Sequence, residues 1–178
     1  MQLHNATRLG TERLARLLGP YVDGWQHGPL KVYVRHSRGA DFSGTCRYDG
    51  PRIYVNVGRH VKYPYRMATS LARARSNARV WWKPVYSVEL ADGYQLVLFV
   101  FLHELYHWLV KKAGRNTRQK ESMCDRFAAE RLVGDWGARV LDARGRPVAR
   151  RAWCFQDLES FVAAARAEPA KGRPRGDG

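Results

Sequence analysis

Carboxylates are scarce in this chain. Its 178 residues include 16 Asp and Glu against 31 Lys and Arg, for a net charge of +15. Arginine far outnumbers lysine, and guanidinium groups pair bidentately with phosphates and carboxylates. Nucleic acid or an acidic partner therefore suits the charge. No nucleic-acid recognition motif accompanies it, and a solvated basic surface suits it equally. Cysteine is scarce too. Cys46, Cys124 and Cys154 are odd in number and unpatterned, which argues against a disulfide framework and fits a reducing cytoplasm. Long apolar runs are missing: the longest is too short to span a bilayer, and His103, Glu104 and His107 interrupt it. Met1–Gly10 is polar, without the apolar stretch of a secretory signal. The expectation is a cytoplasmic protein with no membrane partner.

Hydrophobic residues make up 45% of the chain, enough for one domain with a real core. That domain is expected over 1–168, with no internal repeat. The Gly, Pro and charge of 169–178 predict a disordered basic tail. Thr7–Leu18 has helical spacing and ends at Gly19-Pro20. Leu30–Arg35 and Arg52–Val57 alternate as half-buried strands do, and Asp49-Gly50 predicts a hairpin between Thr45–Tyr48 and the second of them. This region reads as a small antiparallel sheet. Tyr65–Arg79 reads as a helix bearing Arg66, Arg73, Arg75 and Arg79, the candidate nucleic-acid contacts. Val80–Leu90 reads as extended, broken by Pro84.

Asp92, with Gln95 at the reciprocal position, caps a helix that should run to about Lys112 and stop at Gly114. A further helix is expected from Asn116 or Thr117 to about Val133, a hairpin over Val140–Val148 around Arg144-Gly145, and a last helix over Phe155–Ala167. The fold class is α+β.

The Asp92 helix poses a chemical question. From Leu96 to Val110 it is apolar all the way round, so it belongs in a core. Yet it carries H-E-L-Y-H at His103–His107, and an unpaired buried charge costs on the order of several kcal/mol. A metal ion resolves the conflict. Helix positions i and i+4 lie about 6 Å apart on one face, so two imidazoles can grip one ion. Glu104, one step round, can then reach a water without being a ligand. The plainer alternative is a pair of core histidines bonded to backbone, with Glu104 at a solvent gap.

A catalytic zinc needs a third protein ligand. Glu121-Ser-Met-Cys-Asp125 on the next helix should return to the level of the histidines, because the short connection makes the two helices antiparallel neighbours. Glu121, Cys124 and Asp125 are all open to that role, although a mixed His/Cys site is the rarer choice. A solvated acidic patch is the alternative. His4, His27, His36 and His60 lack such spacing and read as surface residues.

H-E-L-Y-H at 103–107, followed by E-S-M-C-D-R-F-A at 121–128, resembles the gluzincin branch of the zincin metallopeptidases. The likeness is to compact minigluzincin, ImmA/IrrE-type and SprT-like proteins, and it covers about Gln95–Val133. It implies a zincin-like fold, with an antiparallel sheet on a buried active-site helix and further helices C-terminal to it. It also implies one catalytic zinc held by His103, His107 and Glu121, Glu104 as general base, and Asp125 orienting a ligating histidine. The implied activity is hydrolysis of peptide bonds in a protein or peptide substrate. That substrate is expected to add to a strand edge, with Arg52–Val57 as the candidate edge and Tyr106 or Tyr54 as candidate oxyanion donors. The alternative function is a basic nucleic-acid- or protein-binding module that retains a structural or relic zinc site.

Overall fold

The computed structural model describes residues 1–23, 30–114, 121–158, 160 and 163. It is α+β. The chain opens with strand β1 (Gln2–Asn5), where sequence periodicity shows no element. Asn5 Oδ1 then accepts hydrogen bonds from the Thr7 amide (2.9 Å) and hydroxyl (2.7 Å). That turn delays helix α1 to Thr11–Leu18, several residues after the expected start.

Strands β2 (Lys31–His36), β3 (Phe42–Arg47) and β4 (Arg52–Val57) complete the first sheet, in the order β1-β2-β4-β3. The hairpin between β3 and β4 forms as expected and is antiparallel, whereas β1, β2 and β4 run parallel. The sheet is therefore mixed, not antiparallel. Alternation tells which side chains face the core, here Val32, Val34, Ile53, Val55 and Val57, but carries no strand direction. On the opposite face His4, Tyr33 and Tyr54 stack in a row, with ring centroids 4.6 and 5.0 Å apart.

The helix expected over Tyr65–Arg79 does not form. Its residues make strand β5 (Tyr65–Thr69), a connecting loop, and strand β6 (Arg75–Ser76). Met67 is buried between exposed Arg66 and Ala68, a period of two that the helix-favouring residue types conceal. β6 pairs with β7 (Trp81–Trp82) as a small ribbon. β8 (Tyr86–Leu90) and β9 (Arg139–Asp142) join β5 in an antiparallel second sheet, β5-β8-β9. After β9 the chain turns at Gly145 (φ +77°), and Val148 donates to Val140 at 2.8 Å, the hairpin expected there.

Helix α2 (Gly93–Lys112) has the expected bounds. Asp92 Oδ1 accepts from the Gln95 amide at 2.9 Å, and Gln95 Oε1 accepts from the Ala91 amide at 2.8 Å, one residue beyond the usual reciprocal partner. Gly114, at φ +67°, ends it in the left-handed conformation that glycine tolerates. Leu96 to Leu102 are buried without a break, because α2 runs between the first sheet and helix α3 (Glu121–Trp136), with α1 alongside. The Gln95 side chain reaches the Trp136 carbonyl (3.4 Å), so α3 returns antiparallel to α2. Where α3 begins before Glu121, His27, most of the helix expected over 155–167 and the tail 169–178 lie outside the described residues. Among the described residues no helix is long and apolar enough to cross a membrane.

Candidate metal centre

α2 and α3 bring four expected side chains to one point. His103 Nε2 and His107 Nε2 lie 3.2 Å apart. Glu121 places Oε2 at 3.2 Å from the first and Oε1 at 3.2 Å from the second. Metal–nitrogen bonds of about 2.0–2.1 Å in a tetrahedral site put neighbouring donors about 3.3–3.4 Å apart, so this spacing fits a single metal ion. His103, His107 and Cys124 also form a group able to hold a metal, with donor atoms all within 4.8 Å of one another. The pair of imidazoles is common to both sets.

Asp125 sits where an orienting acid should. Its Oδ1 is 2.9 Å from His103 Nδ1, which turns Nε2 towards the donor cluster, and its Oδ2 accepts from the Ser70 amide at 2.6 Å. One carboxylate thereby ties α2, α3 and the loop after β5 together. Burial alone would lower the His103 imidazole, but the hydrogen bond and charge of Asp125, with Glu104 and Glu121, outweigh it and hold the group above its ordinary pKa. His107 is held below its own, by burial and then by neighbouring His103. Cys124 is fully buried, and that burial, reinforced by the surrounding carboxylates, pushes its thiol up.

Glu104 lies under β3. Burial raises its carboxyl to about 7, against the opposing charge of His103 and a backbone hydrogen bond from Cys46. A Cβ on Gly44 would come within 2.7 Å of Glu104 Cγ and 2.8 Å of Cδ, so only glycine lets the strand lie this close. Gly44 and Phe42 of β3, Met67 and Ala68 of β5, and Phe99 and Val100 of α2 wall a cleft of about 200 Å³ that opens onto His103, Glu104, Glu121 and Asp125.

Other expectations are corrected here. Arg52–Val57 is not a sheet edge, because β4 lies between β2 and β3; β3 is the edge at the cleft. Tyr106 is buried against Phe127 and Tyr54 is stacked on the far face of the sheet, so neither lines the cleft. The tyrosine near the site is Tyr48, just past β3. Its phenol is pushed up to about 12 by partial burial and then by the charges of Cys46, Glu104, Cys124 and Glu121. No local spacing marks Gly44, Cys46, Tyr48 or Ser70, which reach the site through sheet pairing and loop closure.

Of the other histidines, His60 pairs with Asp41 at 2.8 Å and His4 stacks on Tyr33, whereas a buried ring nitrogen of His36 has no partner among the described residues. The four candidate arginines share no helical stripe. Arg66 pairs with Glu89 (3.6 Å) and Arg73 stacks on Phe155 (3.8 Å), while Arg75 lies on β6 and Arg79 in the turn that follows it. The chain matches no protein family, no curated protein and no solved structure.

Proposed function

We propose that this protein is a zinc-dependent peptidase in which His103, His107 and Glu121 hold the metal and Glu104 is the general base. The observation that carries the reading is the common 3.2 Å spacing within the His103, His107 and Glu121 group, where each Glu121 oxygen faces one imidazole, with the half-buried carboxyl of Glu104 on the same cleft. Glu121 is preferred to Cys124 as third ligand because its oxygens already sit at the tetrahedral spacing from both imidazoles, whereas the thiol belongs to a looser group. Zinc, when bound, supplies a Lewis acid that polarises the scissile carbonyl and makes water acidic enough to attack near neutral pH.

The remaining work falls to the chain. Glu104 takes a proton from the attacking water and returns it to the departing amine, a role that suits a carboxyl with a pKa of about 7. Asp125 fixes the His103 ring so that Nε2 faces the donor cluster. The free side of β3 offers backbone groups to an extended substrate, and Gly44 keeps the strand low enough for that substrate to lie over Glu104. Tyr48 supplies the phenol at the rim of the site, protonated at neutral pH and so able to donate to a developing oxyanion.

The test joins metal content to turnover. Wild type should purify with about one zinc per chain and His103→Ala with almost none. Glu104→Gln should keep the zinc and lose roughly 10²- to 10⁴-fold in hydrolysis of any peptide that wild type cleaves. A chain that stays substoichiometric when zinc is supplied refutes the site. Equal turnover by Glu104→Gln leaves the metal without this chemistry, as in a binding module with a structural ion.

A further inference from the structure

The ribbon β6–β7 is built the wrong way out for a soluble surface. Every residue from Arg73 to Lys83 is exposed, and two of them are tryptophans, Trp81 at 68% and Trp82 at 42%. Directly paired residues of a ribbon share a face. Trp82 therefore lies on the side of Arg75, and Trp81 on the side of Ser76. Each face presents one indole, and the same exposed segment carries three cations: Arg75 on the ribbon, Arg79 in its turn and Lys83 after it.

At the base of the ribbon is a recess of about 310 Å³, lined by Arg73, Arg75 and Arg151, with Tyr86 and two alanines between them. That volume is at the low end of small-molecule sites. Arg73 is held in place: its guanidinium stacks on one face of Phe155 at 3.8 Å, and Arg126 approaches the same ring at 4.3 Å. None of Arg73, Arg75, Arg79 and Arg151 has an acidic partner within ion-pair distance among the described residues. Three exposed guanidinium groups around this recess complement an anion, and two exposed indoles beside it complement flat apolar partners.

We infer that the β6–β7 ribbon and the arginine recess at its base bind single-stranded nucleic acid, with bases stacked on Trp81 and Trp82 and a backbone phosphate held by Arg73, Arg75 and Arg151. Single strands expose base faces that a duplex keeps stacked, and indoles bind any of the four bases. An anionic bilayer is the poorer complement. It would take one apolar face, whereas these indoles point to opposite faces, and its flat headgroup layer does not fill a recess. The +15 net charge supplies the long-range attraction. This inference is independent of the peptidase reading.

Fluorescence anisotropy with labelled oligothymidylate tests it, using the full chain across a salt series. Wild type should bind, with log K falling against log salt by about 0.7 per phosphate contacted. Trp81→Ala and Trp82→Ala should each cost roughly tenfold in affinity with the slope unchanged. Arg75→Gln and Arg151→Gln should each reduce the slope by about 0.7. Glu104→Gln should bind as wild type does, so failure of the peptidase reading leaves this result standing. No binding at about 50 mM salt, equal affinity in the tryptophan variants, or tighter binding to a duplex of the same length overturns the proposal. Tryptophan-dependent binding to phosphatidylserine vesicles without oligonucleotide binding overturns it in favour of a membrane surface. Unchanged melting temperatures in all four variants tie any loss to the surface.

Discussion

Helix α2 and the β6–β7 ribbon break the usual partition of residues in opposite directions. α2 holds ionisable groups, His103, Glu104 and His107, half-buried inside the most apolar segment of the chain. The ribbon exposes two tryptophans that a core would readily accommodate. In the first arrangement the three ionisable groups have partners, Asp125 for His103, a Cys46 backbone hydrogen bond for Glu104 and Glu121 for His107, whereas the Tyr106 hydroxyl of the same helix is buried with no partner among the described residues. In the second, apolar area is left in water with nothing among the described residues to cover it. Fold stability therefore resides in α2 and its contacts, while the ribbon contributes little to it.

The largest effect expected from this contrast is on stability. Phe101→Ala, at a fully buried position of α2, should cost about 3–5 kcal/mol in urea unfolding, whereas Trp81→Ala should stay within about 0.5 kcal/mol of wild type. A ribbon substitution as damaging as the core one would mean that the indoles are packed in solution.

Next in size are the effects at the metal. On the proposed assignment, in which Asp125 orients a ligand and Glu121 is one, Asp125→Ala should weaken zinc by roughly 10- to 100-fold and Glu121→Ala by more. Competitive zinc titrations rank them. A larger loss in Cys124→Ser than in Glu121→Ala would assign the third ligand to the thiol of the looser group.

The smallest change acts on geometry alone. Gly44→Ala would force the Glu104 side chain aside without touching a metal ligand, since the new methyl meets Glu104 Cγ at 2.7 Å. Zinc affinity and melting temperature should hold while hydrolysis falls by about tenfold, a one-ångström misplacement of a catalytic group being costly. Full activity in this variant would show that β3 is not set by Glu104.

Much of the site was legible in the sequence because helices are local objects. Side chains four residues apart share a face whatever surrounds them, so His103 and His107 had to converge once α2 formed. The bounds of α2 were equally local: an Asp92 cap, a uniformly apolar body and a glycine stop. The rise per residue then returned Glu121 and Asp125 to the level of the histidines, and both acids meet them there.

Sheet neighbours were not legible, because a period of two says which face a residue takes and nothing about which strand lies beside it. Only the tertiary structure decided that β4 is internal and β3 is the edge, and that Gly44 and Cys46 lie over Glu104. Tyr65–Thr69 shows the same limit. Ala, Met and Arg favour a helix locally, but pairing with β8 satisfies the backbone of those residues and buries Met67, which a short isolated helix could not do. Once that segment was a strand, the arginines after it passed from a supposed helical stripe to a ribbon and a recess, with Ser70 left free to donate its amide to Asp125. The side chains of the candidate metal site thus follow from chain-local geometry, whereas the strand over Glu104 and the basic surface follow from non-local pairing.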